Sequence, residues 1–386
     1  MGKKSLSFVI LGVLTTSLIF GGCASNKDSK DTSSATAKYN VIVDSKFSGN
    51  DGSKEDGTPT YKTLTSAIDQ APTDSSSQYT IYIKDGTYYE KVTIDKPNIS
   101  LIGEDIDKTK LTYDVASGTK KSDGTTYGTF DSASVSVIAP NFSAENLTFE
   151  NGFDYPVNKA KADTDSTKLK DAQAVALKFD KDSNKAYIKN CKITGYQDTL
   201  YSNAGTQYYK NCTIVGCIDF IFGAGQGFFN NCNIVSIDMK SPNQNGYITA
   251  ASTNAKNKYG FVFYKCNIKA ESDSMSKNSV ALGRPWHPTT TFEGGVRKAD
   301  PYAIGSVIYL NCNLGDHIKT TGWDKMSGKD ENGNVIWFTP EDSRFYEYGS
   351  NGPGSVDTAL ATRKFLSDSE AKDCTEKNVL NGWEPQ

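Results

Sequence analysis

Short apolar stretches alternate with polar turns on a period near 20 residues through the middle of the chain. The stretches IKNCKITG (188–195), YKNCTIVG (209–216), FNNCNIVS (229–236), YKCNIKA (264–270) and YLNCNLG (309–315) are variants of one unit. AENLTFENG (144–152) is an earlier copy with Leu147 in the cysteine place. Cys191, Cys212 and Cys232 are spaced by 21 and 20 residues, and later copies are farther apart, as long loops between turns of a repeat would make them. Strand-length apolar runs with turns and no helix between them predict a coil of short parallel strands, a parallel β-helix, in which equivalent residues stack as ladders. The asparagines then serve turn geometry, and the cysteines act as small buried hydrophobes. A leucine-rich repeat would need leucine at several fixed offsets per unit, which is missing.

The flanks are read in the same way. Tyr39–Val43 and Gln78–Ile83 predict strands, the second closed by the Asp85-Gly86 turn. Between them, Leu64, Ala67, Ile68 and Ala71 fall at helical spacing. Polar excursions at 154–170, 241–258 and 293–300 predict loops that wall a cleft. Thr358–Ala371 is helix-compatible and expected to lie along or cap the coil. Tyr88 and Glu90 are expected to be structural.

The first residues obey different rules. Lys3 and Lys4 precede the apolar run Leu6–Phe20, which is shorter than the roughly 20 residues of a membrane span and suited to a secretory signal. Gly21-Gly22-Cys23 resembles a bacterial lipoprotein cleavage box, with Cys23 as the lipidated residue and Phe20 where leucine is usual. The organisation expected is a lipoprotein-type signal peptide over 1–22, a flexible tether over 23–38 and a β-helix catalytic domain over 39–386. That makes the protein exported: lipid-anchored at the cell surface or outer membrane, otherwise secreted.

Composition narrows the chemistry. A net charge of −3 argues against a nucleic-acid partner, though a local basic cleft remains compatible with an anionic polysaccharide. With two histidines and no zinc-like Cys/His spacing, neither a metal site nor a Ser-His-Asp triad is expected. Seven cysteines beside Cys23 leave an odd thiol, and adjacent rungs would bring Cys212 and Cys232 within reach of a disulfide.

Two carboxylates repeat with the coil. Asp198 and Asp219 lie 219 − 198 = 21 residues apart, each seven residues after its cysteine. One coil apart in sequence means side by side in space, so like charge pushes one pKa up. One carboxyl can then be a neutral acid and the other an anionic nucleophile. Asp219 sits in the apolar run CIDFIFG, and Arg284 of LGRPW is its natural partner. A structural Asp–Arg pair fits the same residues.

The motifs GTYYE (86–90), GTFDSASV (128–135), QAVAL (173–177), GYQDTLY (195–201), DFIFG (219–223) and LGRPW (282–286), in that order, make the chain resemble the pectin methylesterase (pectinesterase) family. The tail, with GWDKMSG (322–328) and IWFTPEDSRFYEY (336–348), is similar to enterobacterial secreted and lipoprotein forms rather than plant forms. The resemblance implies an all-β, single-stranded right-handed parallel β-helix, with long loops forming a cleft and short terminal helical segments. It implies Asp219 as nucleophile, Asp198 as acid/base, Gln173 and Gln197 as oxyanion-hole amides, and Arg284 holding the nucleophile. Tyr201, Phe222 and Trp286 would line the sugar cleft, with Thr129 and Met326 as further substrate contacts. The implied partner is methyl-esterified homogalacturonan, acted on by a monomer without metal or cofactor. An esterase or thioesterase relative acting on another ester, or a non-catalytic polysaccharide-binding β-helix, would share the fold. Polygalacturonase and pectate lyase are weaker fits, since the histidines sit in PWHP and GDHI and no calcium-type acidic cluster is evident.

Overall fold

The computed structural model describes residues 39–74 and 76–385. The expected signal peptide, tether and lipidated Cys23 lie outside the described residues.

Three parallel sheets run along the coil, and from Tyr79 to Gly283 each turn of the chain gives one strand to each sheet. The first has 13 strands, the second eight and the third seven. Only the initial Lys54–Glu55 pairs antiparallel in the first sheet, with Thr58–Tyr61. The repeat therefore predicted the coil, and its register is strict: Tyr209 pairs with Phe229, Phe229 with Phe263 and Phe263 with Tyr309. Those rings stack inside the coil at centroid distances of 4.4, 4.5 and 4.6 Å. On the second sheet, Phe149, Ile193, Ile214, Ile234, Ile268 and Leu314 form another inward ladder. Alternation puts these residues in and their neighbours out, so a slip of one residue would reverse every face.

The repeat's asparagines do what turn chemistry asks of them. Asn146, Asn190, Asn211, Asn231 and Asn311 all adopt positive φ, 49–68°, where asparagine is tolerated better than most residues. Lys265 takes the same conformation in the copy that lacks asparagine. The following cysteines form a ladder of their own, in which Cys212 and Cys232, a possible disulfide from their spacing, are both free thiols. Each sulfur instead donates to a carbonyl of the preceding rung: Cys212 to Ile188, Cys232 to Tyr209, Cys266 to Phe229 and Cys312 to Phe263, at 3.3–3.6 Å.

The predicted helix near the start is α1, Leu64–Asp69, capped by Thr63 and closing that end of the core with Leu64, Ala67 and Ile68. Glu90 accepts from the backbone N–H groups of Leu64 and Thr65 at 2.8 and 3.0 Å, a carboxylate at a helix N-terminus. Tyr88 is buried and donates to Val43 and Lys84 carbonyls. Both residues are structural, as expected.

Three expectations change. The excursion at 154–170 contains a helix, Tyr155–Ala160, started by the Asp154 cap and a proline in its first turn. The excursion at 241–258 is not all loop: Gly246–Ala251 is a strand of the third sheet, between Ile218–Gly223 and Val280–Gly283. Its polar flanks hid a largely apolar run of six, GYITAA. Finally, helix does not fill 358–371. Arg363 is wholly buried and pairs with Glu347 through bonds of 2.6 and 2.9 Å, which holds that stretch extended. Helix begins only after the Ser367 cap, over Asp368–Asp373 and then Glu376–Val379, against the outer face of the first sheet.

Candidate active site

The site lies on the outer face of the third sheet. Along that face, in register, run Ser136, Lys178, Tyr201, Phe222 and Ala250, while Val135, Leu177, Leu200 and Ile221 face the core. Where strands of this sheet begin, successive rungs carry Gln173, then Gln197 and Asp198, then Asp219. Gln197 bridges to Ile218, and Asp198 N–H donates to the Ile218 carbonyl at 3.0 Å. The two aspartates are thus rung neighbours, as their 21-residue spacing predicted.

Their backbone is unusual. Asp198 and Asp219 have φ of 63° and 50°, a left-handed conformation that costs of order 1–3 kcal/mol per residue and persists only where the surroundings impose it. At Asp219 the register also shifts: Ile218 pairs with Tyr247 but Ile221 with Thr249, so three residues on one strand span two on the next. This bulge turns Asp219 out to the cleft while Phe220 stays in the core. Gly216 makes room for it, since a Cβ there would lie 2.2 Å from that of Phe220.

Arg284 reaches Asp219 from two rungs farther along. Its Nε and one terminal nitrogen donate to the two carboxylate oxygens at 2.9 and 2.6 Å, a two-pronged charge-assisted pair. Tyr247 lies flat against the guanidinium, with Cζ 3.8 Å from the ring centroid. The arginine strand is fixed from behind. Arg284 N–H donates to Thr249, while the Leu282 carbonyl accepts from Thr249 Oγ1 and Tyr309 Oη, both at 3.0 Å. Gly283 permits the close approach, as a Cβ would fall 1.9 Å from Thr249 Oγ1.

Both aspartates are buried, at 8% and 6% exposure, and burial raises both pKa values. Their charged neighbours set them apart. The Asp219 charge pushes Asp198 well up, with Arg284 opposing only through space. For Asp219, the charge and hydrogen bonds of Arg284 counter desolvation directly. The Arg284 clamp therefore favours the anion at Asp219 over Asp198.

Thr129, Phe130, Gln173, Gln197, Asp198, Asp219, Phe222, Ala250, Arg284, Trp286 and Met326 enclose a cleft of about 270 Å³. Among the described residues, neither Gln173 nor Gln197 shows a side-chain hydrogen bond to protein. Gln173 Oε1 is buried and unpartnered. Both amides are thus open to donate to a ligand between them and the carboxylates.

Every residue singled out for the cleft lines it except Tyr201. That ring is buried at 5% exposure beneath Phe130 and Phe222, at centroid distances of 4.8 and 4.6 Å, and supports them. Phe130 was not singled out: it lies inside GTFDSASV, and its 44% exposure beside the cleft is a tertiary fact. Tyr247 was missed because its strand read as loop.

Comparison with known proteins agrees with this geometry. The pectinesterase family model matches residues 53–382. The chain is 46% identical over 379 residues to pectinesterase A of Dickeya dadantii (strain 3937), covering 97% of this chain and 98% of that protein. Pectin methylesterase from Erwinia chrysanthemi superposes with a TM-score of 0.84 at 46% identity, over 90% of this chain and 98% of that one. A pectin methylesterase solved in complex with a hexasaccharide gives the same TM-score and coverage at 47% identity. Matched by the family model over most of its length and by relatives over nearly all of it, the chain belongs to the pectinesterase family of carboxylic ester hydrolases.

Proposed function

We propose that this protein removes methyl groups from esterified galacturonate units of pectin, releasing methanol and leaving pectate. The observation that carries the residue roles is the pairing of an Arg284-clamped Asp219 with an unclamped, buried Asp198 on the next rung.

Asp219 attacks the C6 ester carbonyl of a bound galacturonate. The carbonyl π electrons move to oxygen, and the amides of Gln173 and Gln197 donate to that oxyanion. As the intermediate collapses, the bond to the methoxy oxygen breaks and the Asp198 proton leaves with it as methanol. The acyl group now sits on Asp219 as an anhydride. Asp198, now anionic, takes a proton from water, and the resulting hydroxide attacks the same carbonyl. Collapse frees the Asp219 carboxylate and leaves a galacturonic acid that loses its proton to solvent as the carboxylate, while Asp198 keeps the proton taken from water for the next turnover. Oxyanion donors of this kind typically contribute about 10²–10³ each.

Phe130, Phe222, Trp286 and Met326 provide apolar and aromatic surface for sugar rings and methyl groups. All of these groups come from one chain, so a monomer suffices. Signal cleavage and lipidation at Cys23 would place the enzyme outside the cell; mass spectrometry of the mature N-terminus tests this, and an unmodified start beyond residue 23 refutes it.

The test of function is methanol release from highly methylated pectin by the wild type beside Asp219→Ala. Release by the wild type and none by the folded variant is expected. Near-wild-type release by the variant overturns the assignment.

A further inference from the structure

Four residues, Tyr196-Gln197-Asp198-Thr199, turn the chain into the strand Leu200–Ser202. Their backbone is bonded to the rungs on both sides. Ala174 N–H donates to the Gln197 carbonyl at 3.0 Å and Ala176 N–H to the Thr199 carbonyl at 2.8 Å. Asp198 N–H donates to Ile218, and the Tyr196 carbonyl accepts from Cys217 N–H at 2.8 Å. One side chain closes the turn from within. Thr199 is wholly buried, and its hydroxyl lies 3.3 Å from the Tyr196 carbonyl and 3.1 Å from the Val215 carbonyl on the next rung. A hydroxyl has one hydrogen, so these two acceptors share it.

Val215 leads through Gly216, Cys217 and Ile218 to Asp219. Thr199 therefore ties the turn of one catalytic carboxylate to the approach of the other. The residue 21 places farther on is Phe220, which has no hydroxyl and packs in the core, so the tie is made from the Asp198 coil. The fit is close: a Cβ at Gly195 would lie 3.0 Å from Thr199 Oγ1, and one at Gly216 2.8 Å from it. Branching at Cβ restricts χ1, which keeps the hydroxyl aimed at the two carbonyls. The left-handed φ of 63° at Asp198 needs a constraint of this kind to persist.

We propose that Thr199 is a positioning residue for the hydrolysis: its hydroxyl holds the Gln197–Asp198 turn against the coil that carries Asp219, and so fixes the acid, the nucleophile and the Gln197 amide relative to one another. Being wholly buried, Thr199 acts only through these neighbours. The role rests on the pectin reading above and deepens it. If the turn loosens, water reaches Asp198 and the carboxylates separate, so burial and the Asp219 charge both raise the Asp198 pKa less. Asp198 must hold a proton to release methanol. Activity is lost as pH rises through its pKa, and a lower pKa brings that alkaline limb to lower pH. The acid limb belongs to Asp219 under its Arg284 clamp and stays in place. The other ionisable groups about Asp198 are Arg284, the Tyr155 phenol and the Cys217 thiol; burial raises the phenol and the thiol, so neither ionises near neutral pH.

Thr199→Val keeps the shape and removes the hydroxyl, while Thr199→Ser keeps the hydroxyl. Methanol release from highly methylated pectin is measured across the pH range for both variants and the wild type, with circular dichroism to confirm folding. In Thr199→Val, kcat should fall about tenfold to a hundredfold, the scale on which a misplaced group slows a reaction, with KM little changed. Its alkaline limb should move to lower pH, and Thr199→Ser should restore both kcat and the limb. A folded Thr199→Val enzyme with wild-type kcat and pH profile overturns the role. So does a loss confined to KM, or a fall in kcat with the alkaline limb unmoved. Should Thr199→Val not fold, Thr199→Ala is judged by the same criteria, and failure of both to fold assigns the hydroxyl to the scaffold and overturns the proposal. A wild type that releases no methanol refutes the underlying function instead, and the Thr199 role with it.

Discussion

Replacing Arg284 with methionine removes the guanidinium but keeps an apolar stem of similar reach. The structure sets what is lost: bonds of 2.9 and 2.6 Å to both oxygens of a carboxylate whose side chain is 8% exposed, from an arginine side chain that is 20% exposed. Removing one member of a buried ion pair costs about 3–5 kcal/mol, because the remaining charge has no partner. Here Asp219 has an alternative to unfolding, which is to take a proton. Without Arg284 its pKa rises further, the anionic fraction at neutral pH falls, and the acid limb of kcat/KM moves to higher pH. If about 3 kcal/mol of anion stabilisation is lost, at 1.36 kcal/mol per tenfold, kcat/KM near neutral pH falls about a hundredfold. Activity should partly recover toward alkaline pH. Arg284→Lys keeps the charge but not the fork, and should fall between wild type and Arg284→Met. The assay is initial-rate methanol release across the pH range, with circular dichroism to confirm folding. A folded Arg284→Met enzyme whose acid limb coincides with that of the wild type refutes the argument.

The same geometry constrains other variants. Asp198→Asn should abolish turnover yet stabilise the fold. The raised Asp198 pKa means that its contribution to stability is fully present below the ordinary carboxylate range and lost as pH rises through the folded value, so the gain in Tm should be larger at pH 8 than at pH 4. A Tm gain that is independent of pH would contradict this. Gln197→Ala should lower kcat by the equivalent of about 2.7–4 kcal/mol of barrier, and an effect on KM alone would rule out an oxyanion role. His317 is wholly buried with neither ring nitrogen hydrogen-bonded, and burial pulls its pKa from 6.5 down to about 4. Its neutral form belongs to the fold, so stability is full above pH 6.5 and lost as pH falls toward 4. The difference, 2.5 pH units at 1.36 kcal/mol each, is about 3 kcal/mol. In urea unfolding at pH 7.5 and pH 4, the change in stability of the wild type relative to His317→Asn should show this loss.

Much of the molecule was legible because a β-helix writes its tertiary structure as a sequence period. With one coil near 20 residues, Cys191, Cys212 and Cys232 had to stack, and Asp198 had to lie beside Asp219. The order of motifs did the rest for Gln173, Gln197 and Arg284. What period and motif could not convey was direction and support. Tyr201 belongs to an aromatic motif, yet Phe130 covers it, and the ring acts as a buried prop. The strand Gly246–Ala251 was concealed by polar flanks, and with it the Tyr247 ring on which Arg284 lies.

The sequence by itself determined the repeat, the register of the ladders, and the pairing of two carboxylates one coil apart, because in-register stacking turns equal spacing into contact. Only the tertiary structure gave the geometry that favours an anion at Asp219 over Asp198. Arg284 is 284 − 219 = 65 residues beyond Asp219 in sequence, but two rungs away in the third sheet. It reaches one aspartate with two hydrogen bonds and leaves the other to desolvation. The tertiary structure likewise shows the cysteine ladder as free thiols whose hydrogens go to backbone carbonyls of the preceding rung.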